Sequence, residues 1–175
     1  MQPWAFFKMN LQFYTEKLAH SEEYKKFMKK HKDAYFYSGF FSVDKEGKDN
    51  QVHLDFFILN SEEVFSFRVD GQEIVLSPIT IYDEKVPEKI SNKLDVDFGF
   101  YENLILKEIE NQKIKNKIQK FLFSLQRLEN KDYLIVTCFL SNFGLVKMHI
   151  CLEDNKISHF EKKSIFDMVS VFKKK

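Results

Sequence analysis

The sequence predicts an α+β fold: a curved antiparallel sheet with two long helices packed on one face. Two observations lead to it. Apolar residues recur at three-four spacing in two long stretches, and elsewhere they alternate in short blocks bounded by turn residues. The two halves also resemble each other: Lys32–Ser42 aligns without a gap on Lys131–Ser141, and Leu59–Phe67 on Leu152–Phe160. The pattern reads as an internally duplicated helix–strand–strand–strand unit. At ~150 residues per domain, the 175 residues form one domain over 1–175. Its pseudo-repeats cover about 1–80 and 101–172, with a connection over 77–100.

Trp4, Phe7, Leu11, Tyr14 and Leu18 make the first apolar stripe, and Pro3 suits a first-turn position. The stripe breaks at Ala19-His20-Ser21. Ser21, followed by Glu22 and Glu23, reads as a fresh N-cap, so Pro3 to Lys30 is one kinked helix or two consecutive ones. Tyr24, Phe27, Met28 and His31 form the second stripe. Lys25, Lys26, Lys29, Lys30 and Lys32 read as a solvated face that favours the helix C-terminus.

Ala34–Val43 and Val52–Leu59 read as strands of a hairpin. The Asp44–Asn50 loop between them lacks the ligand spacing of a calcium loop. Asp70-Gly71 predicts a two-residue turn that pairs Phe67 with Ile74, Phe65 with Leu76 and Arg68 with Glu73. Ser77 to Asn92, with Pro78 and Pro87, reads as a connection. Lys93–Phe100 alternates as a strand, with Leu94, Val96, Phe98 and Phe100 on one face and Asp95 and Asp97 on the other.

The second long helix is expected over Glu102–Glu129, with Ile114, Ile118, Phe121, Leu125 and Leu128 as its stripe. Tyr133–Leu140 is almost wholly apolar and calls for cover on both faces. Asn142-Phe143-Gly144 reads as a three-residue hairpin loop with Gly144 in the left-handed region. Leu145–Leu152 returns, Asp154-Asn155 turns, and Lys156–Phe160 follows. Ser164 then caps a closing helix with Ile165, Met168, Val169 and Phe172 on its apolar side.

This order of elements resembles tandem cystatin-like units, which repeat a helix followed by an antiparallel sheet. It also resembles class I secretion chaperones, which run helix, three strands, helix, two strands, helix. The likeness is one of order alone and carries over no site residue.

Composition narrows the function. Apolar residues make up 44% and charged residues 30%, which excludes disorder and a collagen-like fibre. With 20 Phe and 7 Tyr against 5 Gly and 3 Pro, aromatic packing carries much of the core. The abundant Phe, Lys, Ile and Asn share AT-rich codons, so the base composition of the gene accounts for the bias. The net charge is +1, with −3 on the first 87 residues and +4 on the remaining 88. That balance, with lysine rather than arginine as the base, argues against nucleic acid as a partner. The N-terminus lacks a basic n-region and no apolar run reaches membrane-spanning length, so a cytoplasmic location without membrane contact is expected.

No catalytic signature is present. The glycines are isolated and the serines lack a glycine-flanked elbow. His149 and Cys151 lie two apart on one strand and would supply half a zinc site. The hairpin sets Cys138 opposite Met148 on the other face, so neither a metal nor a cofactor is expected. If Val43 lies opposite Gln51, then Phe36, Phe40, Leu54, Phe56 and Ile58 face the core. The other face then carries Tyr35, Tyr37, Gly39, Phe41, His53, Asp55 and Phe57, with Gly39 opposite Asp55. These seven residues are the expected partner- or ligand-binding surface. The leading expectation is a non-enzymatic protein-interaction module, adaptor-, chaperone- or inhibitor-like, that binds a protein partner or a second copy of itself. The second is a carrier for an apolar or aromatic small molecule held between sheet and helices. The third is an uncharacterised enzyme.

Overall fold

The chain's computed structural model describes residues 10–80 and 85–164. Two short helices, α1 (Leu11–Ala19) and α2 (Glu22–Lys30), open it. Four strands follow: β1 (Ala34–Asp44), β2 (Gln51–Ile58), β3 (Glu63–Arg68) and β4 (Val75–Ile79). The second half runs α3 (Phe98–Asn111), β5 (Ile118–Leu128), β6 (Lys131–Leu140), β7 (Gly144–Cys151) and β8 (Lys156–Ser164). All eight strands pair antiparallel in one open sheet of order β4-β3-β2-β1-β5-β6-β7-β8. Each half is thus a helical segment followed by a four-strand meander, and the two meanders meet at the β1–β5 pair. The expected antiparallel α+β architecture is present. Among the described residues, no helix is long and apolar enough to cross a membrane.

Ser21 separates α1 from α2. Its hydroxyl donates to the Leu18 carbonyl (2.7 Å) and accepts from the Tyr24 N–H (3.2 Å), so one side chain closes the first helix and caps the second. All three helices pack on the same sheet face. Phe27 of α2 sets its ring 5.2 Å from Phe67, 5.5 Å from Phe65 and 6.1 Å from Phe56. Tyr14 of α1 meets Phe41, while Phe98 at the start of α3 lies 4.3 Å from Phe41 and 5.2 Å from Phe123. The edge-on and tilted geometries are those that aromatic quadrupoles favour. The Tyr101 hydroxyl donates to Asn155 Oδ1 (2.7 Å), fixing α3 to the β7–β8 loop.

Several expectations need correction. The helix expected over Glu102–Glu129 is α3 plus β5. Residues 121, 123 and 125 are Phe, Phe and Leu, all at most 1% exposed, and this period of two governs once the strand lies centrally in the sheet. The turn after β5 is Glu129-Asn130, both at positive φ, a two-residue hairpin in which Leu128 pairs Lys131. Among the described residues the helices are therefore three and short, not two and long. The strand expected over Lys93–Phe100 is instead the approach to α3. Asp97 is its N-cap, accepting from the N–H groups of Gly99 and Phe100, and Phe100 turns outward.

The Asp70-Gly71 turn is longer than two residues. Arg68 pairs with Val75, Phe67 with Leu76 and Phe65 with Pro78. Asp70 is taken up elsewhere: its carboxylate accepts from the Val52 N–H and from the Arg68 guanidinium, and the Val69 N–H donates to the Val52 carbonyl. β4 reaches Ile79, and Pro78 is tolerated because β4 is an edge strand. At the β6–β7 turn, Asn142 and Phe143 take positive φ while Gly144 does not. Gly144 is needed for closeness, because a Cβ there would lie 3.2 Å from Leu140 Cβ. Cys138 accordingly pairs with Val146 and not with Met148.

The segments aligned between the halves are β1 with β6 and β3 with β8, which are not at matching places in the sheet order. The Trp4–Phe7 start of the first stripe and the closing helix from Ile165 lie outside the described residues.

Candidate functional site

The face of the sheet opposite the helices contains most of the expected binding surface, in altered form. β1 and β2 pair in register from Ser42↔Gln51 to Ser38↔Asp55, and the register then shifts so that Phe36 meets Phe56 and Tyr35 meets Phe57. Tyr37 is the extra residue of this bulge. Up to the bulge, the shift turns the β1 side chains over relative to the expected register. Phe41 is fully buried in the helix-side core, and Gly39 pairs with Leu54 on that side. Phe41 and Gly39 therefore do not belong to the surface, and Phe40 does. Gly39 makes room for its neighbour, since a Cβ there would sit 3.0 Å from the Phe41 ring.

Tyr35, Tyr37, His53, Asp55 and Phe57 stay together. Pairing arranges all but the bulged Tyr37, with residues the sequence did not single out, in three cross-strand rows: Phe40–His53–Arg68, Ser38–Asp55–Ser66 and Tyr35–Phe57–Val64. The Phe57 ring lies 5.6 Å from Tyr35 and 6.4 Å from Tyr37 and is only 2% exposed. The Tyr35 hydroxyl donates to the Pro87 carbonyl (2.7 Å), so residue 87 ties down one corner. The connection then passes between the ends of β1 and β5. There Ile90 N–H donates to the Phe36 carbonyl, and the Glu88 carboxylate accepts from the N–H groups of Glu129 and Asn130.

The central row is electrostatically tense. Asp55 Oδ1 is buried without a hydrogen-bond partner. Burial raises the Asp55 pKa, and the nearby Ser66 and Ser38 hydroxyls and His53 offset this only in part. Burial, together with the Asp55 charge, pushes the Tyr37 phenol up to about 12. His53 Nδ1 lies 3.2 Å from Ser66 Oγ. Serine, histidine and aspartate are thus close on the open face.

In the second half the same face carries Leu122, Tyr133, Ile135 and Phe139, each partly buried, along with Lys147 and His149. His149 lies against His159 of β8, with ring centroids 5.0 Å apart. Burial, Lys147 and His159 lower its pKa, and its Nε2 is buried and unpartnered. Among the described residues, no group of three His, Cys, Asp or Glu is placed to hold a metal ion. Both cysteines are free.

A second feature lies where α3, the β1–β2 loop and the start of β5 enclose an open cleft of about 1220 Å³ that also reaches Leu122 and Phe139 of the helix-free face. Glu102 of α3, only 7% exposed, pairs there with Lys45.

No family model matches the chain, and no curated protein matches it. Among solved structures, the fold is similar to the crystal structure of a "putative lipoprotein" from Clostridium difficile 630. The TM-score is 0.50 at 12% identity, covering 81% of this chain and 91% of that one. At that identity the likeness is one of fold.

Proposed function

We propose that the chain is a non-enzymatic interaction module that docks a second copy of itself through the helix-free face of its sheet. The supporting observation is the one-sided helix layer. Ring contacts from all three described helices fall on one sheet face, while the other carries Tyr37 and Phe40 in one half and Ile135 and Phe139 in the other, all partly exposed. Eight strands at ~4.8 Å spacing span roughly 34 Å, enough for the ~800 Å² per partner that a stable interface needs. A net charge of +1 lets two copies approach with little repulsion. The two unbridged cysteines fit a reducing, cytoplasmic location. The repeated layout supports an internal duplication in which β1 corresponds to β5 rather than to β6.

Light scattering after size exclusion tests the reading. The wild type should elute as a dimer. Tyr37→Glu should elute as a monomer with unchanged circular dichroism and melting, because it places an unpartnered charge in a desolvated contact. A strictly monomeric wild type, with Tyr37→Glu unfolding as a core lesion does, would show the face to be internal.

A further inference from the structure

We propose that the cleft between α3 and the ends of β1 and β5 binds an uncharged apolar molecule, a function additional to the docking proposed above. Phe98, Glu102, Leu106 and Ile109 recur at near-helical spacing and line one wall; Val43 and Phe123 stand among the residues across from them. The volume of about 1220 Å³ is at the scale of ligand sites, and apolar side chains stand in it among about as many polar and charged ones. Leu106 remains 41% exposed on this wall, although α3 otherwise buries its apolar side.

The charges around the cleft identify the ligand class. Glu102 is paired with Lys45, whose ammonium lies 5.1 Å from the Phe121 ring centroid. Lys120 is paired with Asp49, and Glu46 with Lys48. The two remaining charges, Asp44 and Lys117, are opposite in sign, and the Asp44 carboxylate accepts from the Glu46 N–H. An anionic head set against α3 would have to take Lys45 from Glu102, and a cationic head Glu102 from Lys45, whereas the exposed Lys117 offers an anion only a solvent-screened contact. Either exchange strands a partly or fully buried charge. An uncharged molecule fills the apolar walls and leaves the pair intact.

The full-length chain should be titrated with N-phenyl-1-naphthylamine, an uncharged fluorescent probe, and the bound probe displaced with decanol or with decanoate at neutral pH. Saturable binding is expected, with decanol displacing the probe at a concentration at least tenfold below that of decanoate. Leu106→Glu should weaken probe binding tenfold or more without changing the melting temperature. Leu106→Trp, which fills the cleft without a charge, should do the same, while Tyr37→Glu on the other face should bind as wild type. Equal or stronger displacement by decanoate overturns the uncharged class. Absence of saturable binding, wild-type binding by both Leu106 variants, or loss of binding in Tyr37→Glu overturns the site itself.

Discussion

Asp55 shows how a single side chain can oppose stability while marking a surface. It lies on β2 between Ser38 and Ser66, with one oxygen buried and unpartnered, and its pKa is raised chiefly by burial. A raised carboxyl pKa means that the folded state holds the proton more tightly than the unfolded chain. The favourable contribution is complete below the unfolded value and is lost as pH rises through the folded one. Asp55→Asn should therefore raise stability at neutral pH by about 1–2 kcal/mol and leave it unchanged in acid. Thermal melts of both proteins across the acid-to-neutral range check this, and an Asn variant less stable at neutral pH would refute it. The cysteines give a second test at this scale. Cys138 pairs with Val146 and Cys151 with Tyr133, so they lie five rungs apart on the β6–β7 ladder. At ~3.4 Å per residue that is roughly 17 Å, far beyond bridging distance. Burial, with Glu102 nearby, pushes the Cys138 thiol up to about 12. Thiol titration without reductant should count two thiols per unfolded chain, and Cys138 should stay unmodified in the folded one.

Among the elements, α2 illustrates the division between local signal and packing. Its cap is local: Ser21→Ala removes the acceptor for the Tyr24 N–H and should cost about 1 kcal/mol. Its anchor is tertiary: Phe27 meets Phe56, Phe65 and Phe67 at once, so Phe27→Ala should cost about 3–5 kcal/mol. Denaturant melts of the two variants should differ accordingly, and equal losses would mean that α2 is held mainly by its own backbone. β1 shows the limit of local reading. Ala34–Val43 is aromatic on both faces, so its pattern does not fix which residues point inward, and the bulge at Tyr37 inserts one residue and exchanges Phe41 for Phe40 on the open face. Gly39 within an aromatic strand was the available hint, since a lone glycine there signals a bulge or a close approach.

For the whole molecule, the open sheet with helices on one side leads to a prediction about assembly. Contacts through Tyr37, Phe40, Ile135 and Phe139 would be largely apolar, and surface charge contributes little at a net of +1. The dimer expected in light scattering should therefore persist at high salt, where an assembly held by surface ion pairs would weaken. Dissociation on adding salt would relocate the contact to the charged rim. The cleft at α3 reaches Leu122 and Phe139 of the open face but not Tyr37, so Tyr37→Glu should separate assembly from ligand binding.

The sequence by itself determined what depends on near neighbours. It placed the break at Ser21 and the paired helices around it, the strands β1 to β3 and β6 to β8, the antiparallel α+β class, and the gathering of Tyr35, Tyr37, His53, Asp55 and Phe57 on one face. Capping, turns and period-two alternation act over a few residues, and their signals are local too. The tertiary structure decided the rest. Residues 118–128 satisfy a helical stripe and a strand alternation equally well, and only the slot between β1 and β6 selects the strand. Asp70 could close a two-residue turn, but the Val52 N–H and Arg68 compete for its carboxylate and lengthen the loop. The cleft at α3 brings together residues from 43 to 139, and the chain has no local feature that announces it. Register, sheet order and cavities arise from contacts between distant segments, whose energies are settled only when the competing surfaces are packed.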